Sequence, residues 1–270
     1  MKLKIVPAGT GVTWVRLGIK TFFAQPLALS GLFFLFMAAI SLVSLVPFVG
    51  PALSLALLPA ATLGLMAATR EAARGKFPMP AILVTAFRAG RDQMHAMWIL
   101  GALYALGFLI VMGLSALVDG GEFARLYLVG GTISRETAQQ PAFQAAMLVV
   151  VGLYAPLSLL FWHAPALVHW NQVPVLKSLF FSIVACFRNF LAFTVYGLAW
   201  SAVFIGAGLV VSLLGAALGG PALAALLVVP TALLMAAMFF TSVYFSYVDS
   251  FEESADDEPG QLDHNKAPPN

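Results

Sequence analysis

Four histidines, a single cysteine and a dozen carboxylates are all that the chain offers for acid–base, nucleophilic or metal chemistry. His163 is the one ionisable group deep inside an apolar run, in Phe161-Trp162-His163-Ala164-Pro165, and His169-Trp170 follows. A metal site needs donors that converge, and the six residues from His163 to His169 turn a straight helix through roughly 600°, leaving the rings about 120° apart. Pro165 could bend that geometry, but no carboxylate or thiolate stands nearby in the sequence. Cys186 has no partner for an intramolecular disulfide or a Cys-pair metal or redox motif. Asp119, Glu122 and Glu136 lie with Arg125 and Arg135 in one polar stretch that lacks a histidine, a serine elbow or metal spacing, so it reads as a solvated connection. These patterns predict no catalytic residue, no metal and no cofactor; the chain is expected not to be an enzyme. The Trp and His residues around 162–170 are expected in an interfacial aromatic belt.

The elements that must position these residues follow from the solvent the chain prefers. It is 61% hydrophobic and only 10% charged, with a mean hydropathy of +0.93, whereas a soluble domain is about 25% charged. Six segments reach the roughly 20 apolar residues that a spanning helix needs: 27–48, 51–69, 96–118, 145–168, 190–214 and 221–247. The predicted fold is all-α, a polytopic membrane helix bundle, with residues 1–248 as the transmembrane domain and 249–270 as an acidic disordered tail. No A-x-A site follows Lys2 and Lys4, so insertion is expected to begin with an uncleaved first helix.

The net charge of +2 is no nucleic-acid footprint, but its distribution orients the chain. Twelve Lys and Arg residues fall in the N-terminal arm, the second-to-third and fourth-to-fifth connections and the tail, against Arg125 and Arg135 in the opposite loops. Basic loops are retained in the cytoplasm, so both termini are expected there and the protein in the cell inner membrane. No Lys, Arg, Asp or Glu lies mid-span, which leaves carboxylate-based ion coupling without machinery.

Each helix pair is preceded by an amphipathic stretch. Val12, Val15, Ile19, Phe22 and Phe23 oppose Thr13, Arg16 and Lys20; Ile82, Leu83, Ala86 and Phe87 oppose Thr85, Arg88, Asp92 and His95; the third has Leu176, Leu179, Phe180, Ile183 and Phe187. All three are expected to lie in the headgroup plane, apolar face down. Together with Pro59, Pro156 and Pro230 in the second, fourth and sixth spans, this makes three parallel two-helix repeats. The outer two share Val49-Gly50-Pro51-Ala52-Leu53 and Gly219-Gly220-Pro221-Ala222-Leu223. Each proline frees a backbone acceptor and kinks its helix. Pro59, Pro156 and Pro230, with His163, are therefore the candidate cavity or kink positions, either lining a solute path or serving packing alone.

Small residues at Ala60, Gly64 and Ala68, and at Gly197 and Ser201, mark close helix packing or contact with a second copy. Oligomerisation is thus possible but not indicated. The acidic tail could meet a basic protein partner, and membrane lipids are partners by default.

With Phe22-Phe23-Ala24-Gln25-Pro26 opening the first unit, the plan resembles uncharacterised multi-pass bacterial inner-membrane proteins. It is distantly similar to the membrane domain that accompanies some glycerophosphodiester phosphodiesterases. The resemblance implies a six-helix inner-membrane bundle and brings no catalytic residues with it. Mitochondrial-type carriers also pair helices in threes, but place a proline before an acid and a base in odd helices; here the prolines sit in even helices before Ala60-Ala61, Leu157-Ser158 and Thr231-Ala232. The expected function is a structural or accessory membrane protein with lipid or protein partners. The alternative is a facilitator or transporter of lipid-like or neutral solutes.

Overall fold

The computed structural model describes residues 2–218 and 220–252. The predicted acidic tail from residue 253 onward, and Gly219 of the last turn, lie outside the described residues. Six helical segments are long and apolar enough to cross a membrane. They are α2 (Pro26–Ser44), α3 (Gly50–Ala73), α4 (Arg91–Asp119), α7 (Pro141–Phe161) continued by α8 (Ala164–Trp170), α10 (Phe190–Leu218) and α11 (Gly220–Ser250). α1 (Thr10–Ala24) precedes them, and between them lie a 3-10 helix (Pro80–Phe87), α5 (Glu122–Val129), α6 (Arg135–Gln139) and α9 (Val175–Arg188).

Local chemistry sets most boundaries. Proline opens α2, α3 and α7, where its missing N–H costs nothing. Gly120 ends α4 in the left-handed conformation that a side chain would strain. The first span stops at Ser44, four residues short of expectation, because 45–49 form the turn into α3. The sixth runs beyond it, so Asp249, assigned in sequence to the tail, is the penultimate residue of α11. A two-residue antiparallel pairing adds to the helices: β1 (Lys2–Leu3) lies against β2 (Phe251–Glu252), in register Lys2↔Glu252 and Leu3↔Phe251.

The three amphipathic stretches take different forms. The first and third are helices, α1 and α9, but the second is only eight residues of 3-10 helix with a kink at Val84, and Gly90 separates it from Asp92 and His95, which belong to α4. In α1 the buried face is Gly11, Trp14, Val15, Gly18, Thr21 and Phe22, whereas Val12 and Phe23 of the expected apolar face are exposed. In α9 the small residues Ser178, Ser182, Ala185 and Cys186 turn inward while Leu176, Phe180 and Phe187 turn out. In both helices small residues on the inner face let backbones approach.

α3 is the most buried span, packed against α2, α4, α11 and the 3-10 helix. A methyl group at Gly101 would overlap the Ala56 carbonyl, so α3 and α4 cross backbone to backbone. Gly64, in the predicted small-residue stripe, likewise lets the Leu83 backbone come close, though less so than at Gly101. α1 crosses α10 and α11 in the same way, Gly11 lying on Ala192 and Gly18 on Ser242. α10 and the first half of α11 are the periphery, exposing most of their side chains. Gly197 and Ser201 face outward there, with open space around Gly197.

Candidate functional site

A groove of about 200 Å³ opens between α3, α4, α7 and α11, lined by Leu58, Pro59, Thr62, Tyr104, Tyr154, Ser158, Phe161, Trp162, Phe239, Phe240 and Val243. Its polar edge is a pair of phenols, Tyr104 and Tyr154, with hydroxyls 3.3 Å apart. Pro59 is buried at its wall. Pro156 and Pro230 are exposed and do not line it, so the structure brings one of the three prolines, not all of them, to this cavity.

Beside the groove the fourth span breaks at Trp162–His163, between α7 and α8. Pro165 sits in the first turn of α8 and has no N–H with which to continue the ladder. At the break, the His163 N–H donates to Ser182 Oγ of α9 at 3.0 Å, and that hydroxyl donates to the Leu159 carbonyl at 2.8 Å. Ser182 thus replaces the direct i to i−4 bond by a relay, one of the recognised ways in which a helix is kinked.

The imidazole of His163 is wholly buried. Its Nε2 is 3.3 Å from Ser246 Oγ, its Nδ1 4.0 Å from Cys186 Sγ, and the ring of Phe251 meets it edge-on. A serine beside a histidine could serve as nucleophile and base. Here Ser246 donates its proton to the Val243 carbonyl at 2.8 Å and accepts from Trp162 Nε1 at 3.0 Å, so its hydroxyl is already committed. His163 faces the interior of the bundle rather than the headgroup belt expected for it, and it does not line the neighbouring groove. His169, by contrast, lines a surface cavity with Arg88, and Arg70 stacks over Trp170 at 5.4 Å. The two histidines are held apart, and among the described residues no three His, Cys, Asp or Glu side chains converge as metal ligands.

α11 continues the polar ladder. Ser242 receives Trp200 Nε1 at 3.1 Å and shares a 2.6 Å bond with the Tyr196 hydroxyl, and Asp249 Oδ2 receives Trp14 Nε1 at 2.8 Å. Buried aromatic N–H and O–H groups need such partners, because an unmet donor in a membrane has no water to turn to. At the corner between α9 and α10, Asn189 grips the N-terminal arm: Val6 N–H donates to its Oδ1 at 2.9 Å, and its Nδ2 donates to the Lys4 carbonyl at 3.0 Å. Lys4 N–H in turn reaches the Ser250 carbonyl at 2.9 Å.

Sequence reasoning missed Ser182, Ser242, Ser246, Asn189 and the Tyr104–Tyr154 pair. The spacing of Ser242, Ser246 and Asp249 at one helical turn was the available signal; Ser182 and Asn189 carried none, since their partners lie far away in sequence.

The chain is 41% identical over 254 residues to a protein of Burkholderia thailandensis described as a probable inner membrane protein, covering 93% of this chain and 94% of that relative. No protein-family model matches the chain. No solved structure matches it either.

Proposed function

The chain belongs to the family of that Burkholderia inner membrane protein, and from this premise we propose that it is a non-enzymatic structural or accessory component of the inner membrane that organises lipid or a partner protein. Multiple spans and an inner-membrane location come with the family and the six apolar helices. The observation that supports the accessory reading is how the interior polar groups are used. Ser182, Ser242, Ser246, Asn189 and Asp249 each hold one element to another, and His163 sits enclosed among them.

The finer architecture belongs to the same proposal. Three parallel two-helix units form the bundle, with interfacial helices on the basic face, both chain ends cytoplasmic, and a basic protein partner for the acidic tail. A second reading, a facilitator of lipid-like or neutral solutes, is favoured by the lateral groove at Pro59 with its Tyr104–Tyr154 edge.

Purification from native membranes, followed by mass spectrometry of copurifying lipid and protein, tests the proposal. A selective companion is expected. Recovery of bulk membrane composition alone would count against the accessory function, and solute flux from reconstituted vesicles that Tyr154→Trp abolishes would replace it with the second reading.

A further inference from the structure

The connection from α3 to α4 is rich in bases: Arg70, Arg74, Lys76, Arg88 and Arg91. Two cavities flank the Ala89–Gly90 turn that joins the 3-10 helix to α4. One, of about 420 Å³, is walled by Arg91, Asp92, Gln93, Gln172, Val173 and Pro174 among others. The other, of about 370 Å³, is walled by Ala81, Ile82, Thr85, Arg88, Ala89 and His169. Volumes of this order suit a small polar ligand.

Several features of the pair go together. Arg88 and Arg91 are exposed, and among the described residues neither forms an ion pair. Between the cavities, Gln93 Nε2 makes only a 3.5 Å contact to the His169 carbonyl, while Gln93 Oε1 and His169 Nδ1 are buried with no hydrogen-bond partner. Such unmet atoms are costly, and both belong to residues that wall the cavities. The setting is the end of two spans, with Trp98 exposed and packed on Phe87 at 5.5 Å and Trp170 under Arg70. Aromatic rings beside arginines mark the headgroup layer. Asp92, in the first cavity, is the single carboxylate among the lining residues and biases that cavity toward a ligand that also carries a hydroxyl or ammonium donor.

We propose that this double cavity binds the phosphate of an anionic phospholipid headgroup, with Arg88 and Arg91 taking the phosphate from either side of the Ala89–Gly90 turn and the glycerol or second headgroup hydroxyls reaching Asp92 and Gln93. Basic pockets between spans are suited to such headgroups, with roughly 1 kcal/mol for each Lys or Arg near the surface. The site deepens the accessory reading by naming the lipid, and it rests on that reading only for its biological purpose.

The test uses the full-length protein, delipidated in a neutral detergent, titrated with phosphatidylglycerol, phosphatidylcholine or inorganic phosphate and followed by native mass spectrometry and thermal unfolding. Wild type is expected to retain phosphatidylglycerol and to unfold later with it, and to respond weakly to the other two. Arg88→Gln/Arg91→Gln should bind phosphatidylglycerol about thirtyfold more weakly, while Lys177→Gln/Arg188→Gln in α9 keeps wild-type binding. Equal loss in both double variants would mean a diffuse charged surface and overturn the site. An equal response to inorganic phosphate would overturn the lipid source, and unaltered binding by Arg88→Gln/Arg91→Gln would overturn the proposal outright. A native purification without any selective companion, alongside intact headgroup binding here, would remove the accessory function and leave the site standing.

Discussion

Ser182 supplies the hydrogen bond that His163 cannot make within its own helix, accepting from the His163 N–H at 3.0 Å while it donates to Leu159. Ser182→Ala leaves the buried His163 N–H unpaired and the Leu159 carbonyl with only the weak Cys186 S–H contact at 3.9 Å, and should cost about 1–3 kcal/mol. Reversible unfolding in mixed micelles measures this against Ser201→Ala, whose hydroxyl bonds only its own helix on the exposed side and whose loss should be near neutral. Equal effects of the two would show that the relay carries no weight.

Backbone contact between α3 and α4 makes Gly101 the least replaceable residue of the crossing. Gly101→Ala is predicted to lower the unfolding temperature sharply or to abolish a monodisperse detergent peak, by overpacking worth about 1–3 kcal/mol or more. Gly206→Ala, where nothing lies within 4 Å, should be tolerated or slightly stabilising through helix propensity. A tolerated Gly101→Ala would mean that the helices sit farther apart than described.

Asn189 is the latch of the N-terminal arm, with both ends of its amide engaged. Asn189→Leu should free the arm, so that trypsin cuts after Lys4 several times faster than in wild type while the rest of the bundle resists. Mass spectrometry of brief digests reads this directly. Unchanged cleavage would show that the β1–β2 pairing and the Lys4–Ser250 bond hold the arm unaided.

Burial pushes the Cys186 thiol up to about 12 from its ordinary 9.0. The folded protein keeps the proton more tightly than the unfolded chain does. This stabilisation is therefore complete below pH 9 and is lost as the pH rises from 9 towards 12. Maleimide labelling at pH 7.5 should be slow in the native protein and rapid after full denaturation in SDS, because the thiolate is the reactive form. Prompt labelling of native protein would contradict the packing of α9 on the bundle.

Pairing of Lys2 with Glu252 sets the N-terminal arm beside the end of α11, and the excess of Lys and Arg in the connections predicts that this face is cytoplasmic. Alkaline phosphatase fused at Gly131 should be active and at Gly260 inactive. The reverse pattern would falsify the orientation while leaving the fold untouched.

The spans are legible in the sequence because a bilayer demands long uncharged runs, and six such runs correspond to six helices. Their faces are less so. Periodicity groups Val12, Val15, Phe22 and Phe23 on one apolar face, yet Val15 and Phe22 pack inside while Val12 and Phe23 are exposed, and Gly11, Gly18, Ser178 and Ser182, which it does not single out, face in. His163 and Pro165 mark the broken span in sequence, but the hydroxyl that repairs it comes from a separate helix, which no local pattern announces. The groove at Pro59 was legible only in part: the proline flags it, while Tyr104 and Tyr154 lie in ordinary apolar runs.

The grip of α1 on α10 and α11, closed by β1 on β2, bears on how the protein is made. Gly11 and Gly18 have no surface to dock on until Ala192 and Ser242 have been synthesised, so α1 must wait for helices made about 180 residues or more after it. The bundle can seal only once α11 has been made, and a nascent chain truncated within α11 leaves α1 open to membrane quality-control proteases.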